Sequence, residues 1–85
     1  MNIPELSPAA KALKPGNWRH FKGDLMEVIG VALHSETFEE FVVYRHLTGN
    51  HAGENHLWMR PLRMFLETVE RDGKKMPRFS YVGEG

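Results

Sequence analysis

The stretch Leu25-Met26-Glu27-Val28-Ile29-Gly30-Val31-Ala32-Leu33-His34 decides the fold class. It is rich in valine, isoleucine and leucine, which suit a pleated, half-buried surface. Gly30 interrupts it, and a lone glycine inside a strand marks a bulge or a sharp bend. Small barrels need such bends to close. Upstream, residues 18–22 read as a first strand, ended by Gly23-Asp24. Downstream, residues 35–40 are a polar connection in which Thr37 and Glu40 have capping-box spacing, room for one helical turn.

Further strands follow at short intervals. Residues 41–47 are a third strand and residues 48–56 a polar loop with Gly49 and Gly53. Residues 57–60 make a fourth strand closed by Pro61, and residues 62–65 a short helical or 3₁₀ turn. Residues 67–71, Asp72-Gly73 and residues 74–82 form a β-hairpin, because Asp-Gly suits a turn with two positive φ angles. Pro77 has no N–H to give a ladder, so its strand is an edge. Val28, Ile29, Val31, Leu33, Val43, Met64, Phe65 and Phe79 are the expected core.

The N-terminus differs. Ser7-Pro8 is a helix start, with a capping hydroxyl and a proline at the first helical position. Leu6, Ala9, Ala10 and Leu13 make one narrow apolar stripe, and Pro15-Gly16 stops the helix. So short a helix needs tertiary support. The expectation is a mainly β fold: a small SH3-like barrel of five or six short strands with a short N-terminal helix. Residues 1–16 form the helical extension and residues 17–85 one barrel-like domain.

Composition narrows the function. Eighty-five residues make one domain. A hydrophobic share of 41% is enough for a core and argues against disorder. Lysine and arginine total 11, aspartate and glutamate 11, so the basic excess of a dedicated nucleic-acid binder is absent. A local basic patch from Lys22, Arg63, Lys74, Lys75 and Arg78 remains open. The chain has no cysteine, which removes disulfides, thiolate catalysis and cysteine zinc sites. No apolar run reaches the roughly 20 residues of a membrane span, and the N-terminus, without a basic segment followed by an apolar run, is not expected to be a signal peptide. The expected location is the cytoplasm.

An ordered series of motifs runs through the chain: Trp18-Arg19-His20-Phe21-Lys22-Gly23, His34-Ser35-Glu36-Thr37, Val42-Val43-Tyr44, Trp58-Met59-Arg60-Pro61, Met64-Phe65 and Pro77-Arg78-Phe79. Together they resemble a small bacterial family, the domain of unknown function DUF1653, over about residues 16–82. The resemblance supports the fold and implies no activity. Met26 departs from it, standing where the family pattern favours tyrosine. The loop between Leu47 and Leu57 is longer than usual in the family, and the N-terminal helix lies outside the shared pattern.

Three sets of residues can carry chemistry. His46, His51 and His56, with Glu54, offer nitrogen and carboxylate ligands, but their spacing fits no standard metal motif. A solvated polar loop is the simpler account, and no metal or cofactor is expected. His20, His34 and Glu36 are the best catalytic-looking set, since a carboxylate beside an imidazole orients it and raises its basicity. Ser35 lies in no nucleophile elbow, and a structural role in the turn competes. Tyr44, Trp58 and Arg60 form the third set, with Arg78 nearby in type. Strand alternation puts Trp58 and Arg60 on one face, and arginine both forks onto oxyanions and stacks on rings. The plainer account makes Trp58 core and pairs Arg60 with Glu36 or Glu67.

The leading expectation is therefore a binding or adaptor module, not an enzyme, using an aromatic, arginine and histidine face: His20, His34, Glu36, Tyr44, Trp58, Arg60 and Arg78. Its partner is a protein or peptide before a nucleic acid, and not a membrane. One alternative is a small-molecule or enzymatic site on His20, His34 and Glu36, which requires those side chains to converge. Another is a structural or self-associating protein, a monomer or weak homodimer.

Overall fold

The structure, a computed structural model, describes residues 5–83, so residues 1–4 of the expected extension and residues 84–85 of the expected domain lie outside it. In chain order the elements are α1 (Pro8–Ala12), β1 (Gly16–His20), β2 (Leu25–Leu33), β3 (Glu40–His46), β4 (Trp58–Pro61), α2 (Leu62–Phe65), β5 (Thr68–Arg71), β6 (Lys74–Pro77) and β7 (Phe79–Gly83). The fold is mainly β, as the sequence predicts. Five strands form one antiparallel sheet in the order β4-β3-β2-β1-β7, and β5 pairs with β6 in a separate hairpin. Asp72 and Gly73 form the hairpin turn, both with the positive φ that their types favour.

The SH3-like ring does not close. Among the described residues no ladder joins the edge strands β4 and β7. The reason lies in residues 74–82, which the sequence reads as one strand. The chain breaks at Arg78 and changes sheets there. The Arg78 N–H donates to the Glu67 carbonyl at 3.0 Å, while the Arg78 carbonyl accepts from the Phe21 N–H at 2.9 Å. Residues before the break pair with β5, and those after it pair with β1. Pro77 sits at the end of β6, a strand paired on one side alone.

The bend expected at Gly30 is a β-bulge. Val28 faces Tyr44 and Gly30 faces Val43, which leaves Ile29 as the extra residue. This explains a misplaced core residue: Ile29 is turned outward and exposed. Alternation decides the others. Val42 faces inward, so Val43 cannot, and Leu33 and Met64 are half-buried. The core is Ala10, Met26, Val28, Val42, Tyr44, Leu62, Phe65 and Phe79, with Leu6, Leu13, Trp18, Val31 and Trp58 packed against it.

Helix α1 docks as its stripe predicts, through Ala10, Leu6 and Leu13, although Ala9 is exposed. The Ser7 hydroxyl accepts from the Ala10 N–H at 3.2 Å, the expected cap. Glu40 does not cap a turn with Thr37. Its carboxylate instead accepts from the Ser7 N–H and the Ser7 hydroxyl, each at 2.7 Å, and ties α1 to the start of β3. These hydrogen bonds, the backbone one first, hold the Glu40 carboxyl below its ordinary pKa. Ser7→Ala removes the cap and the hydroxyl half of the tether while the backbone N–H stays on Glu40, and should cost about 1 kcal/mol from the cap alone. A thermal melt reads the loss, and faster amide exchange at Ala10 and Lys11 would locate it in α1.

Candidate functional site

Cross-strand partners share a sheet face. The pairs Trp18–Met26, Met26–His46, Val28–Tyr44, Tyr44–Trp58, Val42–Arg60 and His20–Phe79 therefore define the inner face. Phe65 of α2 plugs its centre, stacked on Phe79 at 4.2 Å and edge-on to Trp18 at 5.2 Å. The sheet curls until its two edges meet through side chains. Arg60, on edge strand β4, lies over the ring of Phe79, on edge strand β7, at 5.6 Å, within cation–π reach. His20 sits edge-on to the same ring at 5.0 Å. The seam of an unclosed barrel is thus filled by an arginine, a histidine and aromatic rings.

Tyr44 continues this cluster. It lies 6.4 Å from Phe79 and 5.6 Å from His46, which meets Trp58 at 5.3 Å. The histidine loop folds back over the indole. His51 and His56 lie 4.7 and 5.2 Å from Trp58, and Glu54 lies between them, 3.0 Å from His51 Nδ1 and 3.5 Å from His56 Nε2. The loop is organised by a tryptophan. Among the described residues no group of three histidine, aspartate or glutamate side chains is arranged to hold a metal ion.

Arg60 is half-buried, yet it makes no ion pair with any described carboxylate. The sequence offers Glu36 and Glu67 as partners, and neither serves. Glu67 binds Arg78 instead, with the Arg78 Nη2 donating to Oε1. The Nε groups of Arg60 and Arg78 and the Trp58 Nε1 are all covered, and none has an acceptor among the described residues. A covered donor without an acceptor costs about 1–3 kcal/mol.

Of the seven expected site residues, His20, Tyr44, Trp58, Arg60 and Arg78 belong to this cluster. His34 and Glu36 do not. His20 stands at the Leu25 end of β2, where its N–H donates to the Asp24 carbonyl at 2.8 Å. His34 follows the other end of that nine-residue strand. At the usual rise of a strand, that length separates the two rings by roughly 25 Å. The His34 Nδ1 accepts from the N–H groups of Glu36 at 3.1 Å and Thr37 at 3.2 Å, fixing the turn. Glu36 is exposed. The convergence that a His20, His34 and Glu36 site requires is not present. Sequence reasoning leaves His46 and Phe79 out of this face. Alternation could have found His46, two residues beyond Tyr44. Nothing local marks Phe79 as a platform, because that depends on the curl of the sheet.

Burial lowers the pKa of His20, helped by Arg60, Arg78 and Lys22 and opposed by Asp24. Burial also lowers that of His46, helped by His51 and Arg60 and opposed by Glu54 and Asp24. The unfolded chain then binds more protons than the folded one as pH falls through about 6.5, the ordinary histidine value. Stability from these rings is full above that pH and declines on acidification until both protonate in the folded state. Urea midpoints should fall between about pH 7 and pH 5.5, and a His20→Gln/His46→Gln variant should flatten that slope.

The sequence model of the family described as "Protein of unknown function (DUF1653)" matches residues 16–81. The chain belongs to DUF1653. Helix α1 precedes the matched part of this DUF1653 protein. A crystal structure of a DUF1653 protein from Bordetella bronchiseptica is similar to it, with 39% identity and a TM-score of 0.78. That likeness covers 89% of this chain and 95% of the other. No curated protein matches the chain. No helix among the described residues is long and apolar enough to cross a membrane. The cleft described in this DUF1653 domain, about 310 Å³, is lined by Ser7, Ala9, Glu39, Glu40, Leu62, Arg63 and Leu66 and shares no residue with the seam. It is the groove between α1 and α2, and its polar groups are already paired: Glu40 with Ser7 and Glu39 with Arg63.

Proposed function

We propose that this DUF1653 domain is a binding module, and that its site is the seam of the curled sheet: His20, Tyr44, His46, Trp58, Arg60, Phe79 and Arg78. One observation carries the reading. Arg60 is held half-buried on an aromatic ring with no acid partner among the described residues. A cation drawn out of water without a partner costs stability. A ligand that supplies the missing interaction explains why an arginine is kept there. The surrounding rings add contact area. The partner class that suits such a face is a protein or peptide.

The test is a titration of the ¹⁵N-labelled protein with separate pools of peptides, nucleotides and single-stranded oligonucleotides. Binding should move amides and side chains around Trp58, Arg60 and Phe79 as one cluster. Shifts confined to the groove between α1 and α2, or none with any pool, would remove this reading.

A further inference from the structure

We infer that the seam takes an oxoanion, a carboxylate or phosphate group, with Arg60 as its principal cation and His20 as an additional donor. This rests on the binding reading and specifies what is bound.

The polar groups that the seam leaves without partners are donors. Trp58 Nε1, Arg60 Nε and Arg78 Nε carry hydrogens and have no acceptor among the described residues, but all three are covered, so a ligand would be met by the outer Nη groups of Arg60. His20 adds a further donor. Its Nδ1 accepts from the Lys22 N–H at 3.1 Å, so the neutral ring carries its proton on Nε2. The nearby acids are largely committed. Glu67 is held by Arg78, and Glu54 lies against His51 and His56. The Asp24 carboxylate, near enough to act on His20, makes no ion pair with Arg60. Arg60 has no such acid.

A ligand matched to this surface must bring lone pairs and negative charge but no donors. Carboxylate and phosphate groups do this, and arginine meets either with two parallel hydrogen bonds. A neutral amide would bring its own N–H into a site already rich in donors. Phe79 lies beneath the guanidinium, whose Nε is covered, so the fork offered to a ligand is the pair of Nη groups. The proximity of Arg60, Arg78 and Lys22 to His20 agrees with this, because together they disfavour a further positive charge there.

The experiment uses the whole ¹⁵N-labelled chain at neutral pH, titrated with inorganic phosphate, acetate and chloride at matched ionic strength. The readouts are the Arg60 Nε–H, the Trp58 indole N–H and the His20 ring signals. Phosphate or acetate should give saturable shifts centred on Arg60 and His20, with half-saturation in the millimolar range, and chloride should not. Stronger binding of phosphate assigns a phosphoryl source, and stronger binding of acetate a carboxylate one. Arg60→Gln should weaken the effect at least tenfold. Arg60→Lys, which keeps the charge but loses the fork, should fall between. Arg63→Gln, which alters the exposed pair with Glu39, should leave binding unchanged. Equal shifts with all three salts, or wild-type binding by a folded Arg60→Gln, would overturn the inference. If both anions fail while a pool from the broader titration still binds around Trp58, the oxoanion falls and the binding face stands. If both titrations fail, both fall.

Discussion

Phe65→Ala is expected to leave the domain largely unfolded at room temperature. Phe65 is fully buried and lies where everything on the inner face meets. It stacks on Phe79 with only 6° between the rings, meets Trp18 edge-on, and reaches Tyr44 at 6.3 Å. Truncating a buried phenylalanine costs about 3–5 kcal/mol, part in lost transfer energy and part in the cavity left behind. A chain of this length has roughly 4–13 kcal/mol of stability in total. A domain this small sits low in that range, because little of its surface is buried. The cavity would also open under Arg60, whose platform is Phe79. Urea unfolding and near-ultraviolet circular dichroism test this, with Phe65→Leu as a milder control. A loss of less than about 1 kcal/mol would mean that the core is not built around this ring.

What could be read from the chain, and what could not, follows the range of the forces involved. The Ser7 cap, the bulge beside Gly30, the Asp72-Gly73 turn and the short helix over residues 62–65 are local events, set by neighbouring residues. Each was legible. The break at Arg78 was not, because it depends on hydrogen bonds to Glu67 and Phe21, far apart in sequence. The expectation of a closed ring rests on the number of short strands and the bend at Gly30, and neither fixes where the chain changes sheets. The site divides in the same way. Trp58 and Arg60 share a face by simple alternation, and that was visible. Whether Arg60 finds an acid depends on where Glu36 and Glu67 end up, and the fold gives Glu67 to Arg78. His34 and His20 look alike in sequence, each an aromatic base before a turn. Each ring also accepts a nearby backbone N–H: His20 from Lys22, and His34 from Glu36 and Thr37. Only the position of β2 between them separates the two.

Trp58→Ala is the second large effect expected, and it separates the roles of core and site. The indole is half-buried, so its removal should cost about 2–3 kcal/mol, less than the loss of Phe65. The distinctive result should appear in the loop. His46, His51 and His56 all rest on this ring, and the loop's own turns are weak, with the Ala52 N–H reaching the Gly49 carbonyl at 3.2 Å and the Glu54 N–H the His51 carbonyl at 3.4 Å. Without the indole, residues 47–57 should lose amide protection while β1, β2 and β7 keep theirs. His46 should titrate closer to its ordinary value, because burial is the main cause lowering it. Trp58→Phe is the necessary companion. It keeps an apolar ring and removes an N–H that has no acceptor among the described residues, so it sacrifices no hydrogen bond within the protein. It should fold nearly as well as the wild type and hold the histidines in place. If Trp58→Phe is stable and orders the loop but weakens oxoanion binding, the indole N–H belongs to the ligand. If it binds as the wild type does, Trp58 acts by packing alone and Arg60 and His20 carry the recognition.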